Sequence, residues 1–273
     1  MAVQTGSVAI AEAKQTGFLQ RRNPCIKLLI VVLVALALSF MYDPATPAAI
    51  LVVTFVAGWT LGRLGPAAQL RPLWVFVPAG IAILLANILF NKKNGVSPAV
   101  VHLGAVAVTH AALWSAGTLW LRLLAFALLS LVFVKTTPPQ RLILSLIHQL
   151  HMNYRVAFGT MVGYRMLPLL QADYRMIRAA QRVRGVHEAR GLLHLWSRTR
   201  RYLLPLLTGA VRRGGRVALA MDARAFGALP TRTYRERLVV DRTDWLLVAT
   251  VVLLLAAIVV VLWFAGVARF TVS

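Results

Sequence analysis

At 273 residues, with 59% hydrophobic side chains and a mean hydropathy of +0.72, the chain lies beyond the roughly 45–50% apolar content of soluble domains and reads as a membrane protein. Thirty basic residues against eight acidic ones give a formal charge of +22, which suits nucleic acid, an anionic lipid surface or an acidic protein partner, placement deciding between them. A single cysteine, Cys25, excludes an intramolecular disulfide and a cysteine-built zinc cage.

Residues 1–20 read as a mobile tail. A signal peptide fits poorly, because the apolar run after Arg21, Arg22 and Lys27 continues to Tyr42 without a small-residue cleavage site. Ile26 to Tyr42 is the first expected span, on the short side for crossing a bilayer. Asp43, Pro44 and Pro47 turn the chain into a second span from Ala48 to Leu61. A connection through Arg63, Pro66, Arg71 and Pro72 leads to a third span, Leu73 to Phe90, with Pro78 as a tolerated kink. Residues 96–116 are apolar but short and interrupted, so they are read as an extracytoplasmic or interfacial segment. The fourth span runs from Gly117 to Val134, with Arg122 either snorkelling or facing other helices. Asn87 is expected to hydrogen-bond between helices. The last span, Trp245 to Gly266, carries no charge.

Between the fourth and last spans lies a basic island. Twenty of the thirty basic residues fall between Lys135 and Arg242. Leu142, Ile143, Leu146, Ile147 and Leu150 repeat at helical spacing, and amphipathic helices are expected over Met166–Arg184 and Arg216–Arg224. Pro168, Gly185, Gly191, Pro205, Gly214-Gly215 and Gly227–Pro230 are taken as punctuation between two or three helices at the membrane surface. Clusters before span one, between spans two and three, and in the island give an N-in, C-out chain of five spans by the positive-inside rule. The resulting division is a tail at 1–20, helices at 21–134, a cytoplasmic coupling region at 135–244, the last helix at 245–266 and a short tail at 267–273.

The island says one thing twice. Ile177/Ala180/Arg184 and Val217/Ala220/Arg224 each set an arginine four residues after an alanine and seven after a β-branched residue, on one helical face. Other chemistry is missing. The sequence has no phosphate-binding Gly-x-x-x-x-Gly-Lys-Ser/Thr loop. His148 and His151, at i and i+3, lack a nearby acid or cysteine and read as interfacial or core histidines, as do His102 and His110. Asp173, Glu188, Asp222, Glu236, Asp241 and Asp244 each lie near an arginine in sequence and read as local charge partners. Spans without carboxylates weaken the reading as an ion-coupled carrier.

Asn23-Pro24-Cys25-Ile26-Lys27-Leu28, Thr136-Thr137-Pro138-Pro139, Arg165-Met166-Leu167-Pro168-Leu169-Leu170, Ala180-Gln181-Arg182-Val183-Arg184-Gly185 and Ala220-Met221-Asp222-Ala223-Arg224-Ala225-Phe226 occur in this order. Together they resemble the transmembrane T component of energy-coupling factor (ECF) transporters, over roughly residues 20–265. The resemblance implies an all-α polytopic fold of about five spans, with coupling helices inserted before the last. It implies a non-catalytic subunit of a bacterial or archaeal cell membrane, joining two ABC-type ATPases, identical or different, to a substrate-binding S component for vitamin or transition-metal uptake. ATP and Mg are then handled by the partners, with no cofactor on this chain and no nucleic-acid partner.

In that family each ATPase receives a coupling helix ending in an Ala-Arg-Gly-like triplet. The resemblance assigns Val183-Arg184-Gly185 and Ala223-Arg224-Ala225 to these roles, with Arg182 and Asp222 in support and the literal Ala189-Arg190-Gly191 as the alternate. Val183 replaces the first alanine and Ala225 the second glycine. A Cβ disfavours positive φ, so the turn at Ala225 is expected to differ. The competing readings are a stand-alone membrane carrier or enzyme with a basic cytoplasmic surface, and a membrane anchor that binds acidic lipid or nucleic acid.

Overall fold

Caps and prolines divide the apolar sequence into helices. The computed structural model describes residues 17–41, 43–90, 99–103, 106–185, 192–229 and 238–264. A single turn, α1 (Phe18–Arg21), precedes α2 (Pro24–Phe40). Asn23 caps α2 by accepting the Cys25 amide at 3.1 Å, and Pro24 occupies the first turn, where a missing N–H costs nothing. Helix α3 (Ala45–Thr60) follows, then α4 (Pro66–Leu73), a 3₁₀ turn (Trp74–Phe76) and α5 (Val77–Phe90). The third apolar segment thus begins at Pro66, ahead of the expected Leu73. Pro72 and Pro78 shift the hydrogen bonding into the 3₁₀ turn between them without ending the helical path.

Strands β1 (Ala99–Leu103) and β2 (Val106–Thr109) form an antiparallel hairpin, with Val101 opposite Val108 and Leu103 opposite Val106. They fall within the segment expected to be interfacial. Helices α6 (His110–Thr136), α7 (Pro139–Leu150), α8 (Tyr154–Val183), α9 (Leu192–Asp222) and α10 (Arg242–Phe264) complete the chain. By length and composition, Pro66–Asn87, Trp114–Thr136 and Arg242–Phe264 are able to cross a membrane, while α2 and α3 are apolar but shorter. These five segments overlap the five expected spans, three of them at spanning length.

Two compact units divide the chain: Met1–Ser145 with Leu238–Ser273, and Leu146–Arg237. In the first, Val34, Leu38, Ile50, Ala125 and Leu129 form the core. Thr46, Thr54, Thr118 and Thr136 are buried beside them, while Leu36, Val52, Trp59, Leu253 and Phe264 are exposed. Buried threonines beside an apolar core, with further large apolar residues facing outward, suit helices packed in lipid. Glycines set two close approaches. A Cβ on Gly58 would come within 2.6 Å of Oε1 of the fully buried Gln69, and one on Gly80 would collide with the Trp120 indole.

Polar contacts fasten the helix ends of this unit. The Arg122 guanidinium donates to the Met41 carbonyl at the end of α2, so it faces another helix. Ser115 donates to Asn87 Oδ1 at 3.0 Å, joining α6 to α5. Buried Lys27 donates from Nζ to the Thr136 carbonyl at 2.9 Å. Arg22 donates to Thr243 Oγ1 and lies 3.7 Å from the carboxylate of buried Asp244. The last helix begins at Arg242, so Asp244 lies inside its first turn and its partner is 222 residues away, where a local partner was expected. Its other oxygen accepts the Asp241 amide at 3.2 Å, closing the helix start. Hydrogen bonds from the Thr243 hydroxyl and the Arg242 amide hold the Asp241 carboxyl below the usual carboxylate range.

The second unit is built on α8 and α9, of 30 and 31 residues. Both run through residues expected to break them, Pro168 in α8 and Pro205 with Gly214-Gly215 in α9. A proline removes one hydrogen bond and kinks a helix; here the packed partner helix keeps the axis going. Arg213 pairs with Asp173 at 2.6 Å, and Tyr174 meets the Tyr202 ring edge-on. Asp173 therefore bonds an arginine 40 residues away, across the helix pair. Glu188 and Glu236 lie outside the described residues.

Candidate functional site

Helix α8 starts at Asn153, whose side chain accepts the Arg155 amide at 3.0 Å. It carries the first arginine segment to its C-terminus. Arg184 is the capping residue, at φ −76° and ψ 9°, and its amide donates to the Ala180 carbonyl at 3.2 Å. Gly185 follows at φ +73°, donating to the Arg182 carbonyl at 3.0 Å. A left-handed residue directly after the cap, bonded back three residues, is the glycine stop that ends many helices.

The second segment ends α9 in the same way. Arg224 donates to the Met221 carbonyl at 3.1 Å, Ala225 to the Asp222 carbonyl at 2.9 Å, and Phe226 to the Met221 carbonyl at 3.0 Å. These last two bonds make a Schellman motif, with Arg224 at the cap and Ala225 in the left-handed position. Ala225 has φ +53°. The expectation that its Cβ makes this turn differ is therefore corrected. The cost of a left-handed non-glycine residue, about 1–2 kcal/mol, is offset by the two cap bonds and by an aromatic anchor at the next residue.

That anchor is Phe226. Its ring lies 4.8 Å from Phe158 and 5.9 Å from Tyr154, both near the start of α8. Arg155 donates to the Gly227 carbonyl at 3.0 Å and the Tyr154 hydroxyl to the Leu229 carbonyl at 3.2 Å. Sequence reasoning missed Tyr154, Arg155 and Phe158. Asn153 as a cap, followed by aromatics at i and i+4, signals the start of an anchoring helix, but the choice of Phe226 as partner is tertiary.

The two arginines lie at opposite ends of the helix pair. Val162 and Met166 of α8 face Val217, Ala218 and Met221 of α9 across a cavity of about 280 Å³, so the C-terminal end of α9 lies beside the N-terminal half of α8. Arg184 is 22 residues further along the chain than Val162, roughly 33 Å at 1.5 Å per residue. Arg182, Val183, Arg184, Asp222, Ala223, Arg224 and Ala225 are all exposed, Val183 at 90%. Among the described residues neither Arg184 nor Arg224 forms an ion pair. Two guanidinium groups at exposed helix ends are placed to bind carboxylates or carbonyls of other molecules by forked hydrogen bonds. Arg190 lies outside the described residues.

No helix holds both His148 and His151: α7 ends at Leu150, and His151 has φ +50°. Among the described residues no group of three or more His, Cys, Asp or Glu is placed to hold a metal ion.

Comparison with known proteins gives a consistent set of likenesses. The CbiQ family model, described as cobalt transport protein, matches residues 15–234. The energy-coupling factor transporter transmembrane protein EcfT of Limosilactobacillus fermentum is 31% identical over 198 residues, covering 68% of this chain and 70% of the relative. The EcfT of Lactococcus lactis subsp. cremoris is 24% identical, covering 90% of this chain and 93% of the relative. A Bifidobacterium longum protein named as an ABC transporter ATP-binding protein is 26% identical over 251 residues; these cover 88% of this chain but 31% of that longer relative.

Proposed function

The chain belongs to the CbiQ family, as a non-catalytic EcfT-type transmembrane component of energy-coupling factor transporters, and on that premise we propose that it couples two ABC-type ATPases to a substrate-binding S component. The ATPases bind and hydrolyse ATP with Mg, and the S component carries a vitamin or a transition-metal ion. The observation that carries this reading is the pair of matching helix ends, each with an arginine at the cap and a left-handed residue after it, at opposite ends of α8 and α9. Two similar handles suit two similar partners. Arg184 enters a groove on one ATPase and Arg224 a groove on the other, with Arg182, Val183, Gly185, Asp222, Ala223 and Ala225 shaping the two ends.

The likeness to a longer protein named as ATP-binding supports a partnership with ATPases. Leu203, Leu207 and Val211 form an exposed apolar row at i, i+4 and i+8 on α9, suited to the membrane surface or the S component. When the ATPases close on ATP and reopen after hydrolysis, helices gripped at their ends move as levers and pass that motion on. In this reading the N-terminus and the Leu146–Arg237 unit lie in the cytoplasm and the C-terminus outside, which the positive-inside distribution of the basic clusters supports.

Tagged chain is expected to co-purify with both ATPases and a small hydrophobic S component. Arg184→Ala with Arg224→Ala is expected to abolish that ATPase co-purification and substrate uptake while membrane insertion persists. Each single variant loses part of both, and Arg190→Ala changes neither. Unaltered co-purification and uptake in the double variant would refute the assignment; loss in Arg190→Ala alone would move the first handle to Arg190.

A further inference from the structure

Two cavities adjoin at the N-terminal end of the first unit. One, of about 220 Å³, lies among α2, α3, α6 and α10, with Val34, Val53, Leu129, Phe133 and Leu254 in its wall. The other, of about 480 Å³, is lined by Phe18, Arg21, Arg22, Thr60 and Arg63. Residues adjacent in sequence line the two. Phe18 and Thr60 face the basic cavity, their neighbours Leu19 and Leu61 face the apolar one, and the Leu19 amide donates to the Leu61 carbonyl at 3.2 Å. The backbone joined by that hydrogen bond therefore separates the two cavities.

Charge is as unequal as polarity. Among the described residues three guanidinium groups line the basic cavity and no carboxylate does. Arg22 is already held, by Asp244 at 3.7 Å and by the Phe18 ring, 4.1 Å beneath its guanidinium carbon. Among the described residues Arg21 and Arg63 form no ion pair. Arg63 reaches the cavity from a left-handed backbone, φ +49°, which residues other than glycine rarely adopt. A ligand filling both spaces needs a negative head and a hydrocarbon tail. Inorganic phosphate or a nucleotide leaves the apolar cavity empty, and a neutral lipid leaves two arginines unanswered.

We propose that the paired cavities bind one anionic phospholipid of the surrounding bilayer. Its phosphate lies on Arg21 and Arg63, where guanidinium forks fit two phosphate oxygens, and an acyl chain passes beyond Leu19 and Leu61 into the space between α2, α3, α6 and α10. The lipid so held spans α1, the end of α3 and the flank of α10. This site is separate from Arg184 and Arg224 and needs only that the chain lies in a bilayer.

Native mass spectrometry of the full chain in detergent tests it, with phosphatidylglycerol and phosphatidylcholine of identical acyl chains added in turn. Phosphatidylglycerol is expected to be retained about tenfold better, about 1.4 kcal/mol. Arg21→Gln with Arg63→Gln brings its retention down to that of phosphatidylcholine, and the corresponding lysine pair keeps most of it. Val53→Phe, which fills the apolar cavity and leaves the arginines in place, weakens retention of phosphatidylglycerol as well. Thermal unfolding of lipid-free protein checks that each variant is folded, and if the glutamine pair fails to fold, Val53→Phe decides alone. Equal retention of the two lipids, no effect of Val53→Phe, or displacement by millimolar inorganic phosphate would overturn the proposal, the last by identifying a bare anion site.

Discussion

Replacing Ala225 by glycine is expected to strengthen the second arginine-bearing helix end. Ala225 holds φ +53°, where a Cβ costs about 1–2 kcal/mol. Glycine removes that cost but loses about 0.5–1 kcal/mol through its greater freedom in the open state. The net gain is about 0.5–1 kcal/mol, a two- to fivefold shift in the local opening equilibrium at 1.4 kcal/mol per tenfold. The amides that report it are those of Ala225 and Phe226, which donate to the Asp222 and Met221 carbonyls. Hydrogen–deuterium exchange of a peptide covering residues 219–229 is expected to slow by that factor in Ala225→Gly. The mirror substitution, Gly185→Ala, places a Cβ at φ +73° and is expected to speed exchange at the end of α8 by a similar factor. Unchanged or faster exchange in Ala225→Gly, or the same direction of change in both variants, would refute the reasoning that the two ends share one cap geometry.

Two further perturbations probe the contacts that hold these parts. Asp244→Ala removes the carboxylate facing Arg22 and the acceptor for the Asp241 amide. Arg22 retains 18% side-chain exposure, so the loss falls to about 2 kcal/mol, below the roughly 3–5 of a fully buried pair. Thermal unfolding in detergent measures it, with Asp244→Asn expected to lose less because it keeps an acceptor. Phe226→Ala strips the Arg224 turn of its contacts with Tyr154 and Phe158, each aromatic pair being worth about 0.5–1.5 kcal/mol. ATPase co-purification is expected to weaken with Arg224 still present, and Phe226→Tyr to restore it.

The apolar helices were legible because bilayer length and hydropathy are local properties of a sequence. Where they began was less so: Pro66 and Pro72 read as a connection, yet proline is at home in a first turn and only bends a helix further on. Strands over Ala99–Leu103 and Val106–Thr109 were signalled by Val100, Val101, Val106, Val108 and Thr109, a β-branched density that the interruptions at 102 and 104 obscured. The continuity of α9 across Pro205 and Gly214-Gly215 was not legible. Propensity there points to breaks, and the contacts that override it, Arg213 with Asp173 and Tyr202 with Tyr174, join residues far apart in sequence. At the arginine ends the repeat itself was visible, while the conformation of Ala225 was misjudged because residue preference was weighed without the cap bonds and the Phe226 anchor.

Asp244 carries the same lesson to mechanics. The chain leaves the first unit within α7, after Ser145, and returns at Leu238, ahead of α10. The end of α6 is held by Lys27 on the Thr136 carbonyl, and the start of α10 by Arg22 on Thr243 and Asp244. Both fasteners come from one short stretch, Arg22 to Lys27, at the entrance to α2. The buried charges are thus better explained as fixing geometry than as adding stability, since a desolvated ion pair returns little net free energy. The basic residues thus divide by burial: Arg22 and Lys27 fasten helix ends within the first unit, and Arg184 and Arg224 are exposed.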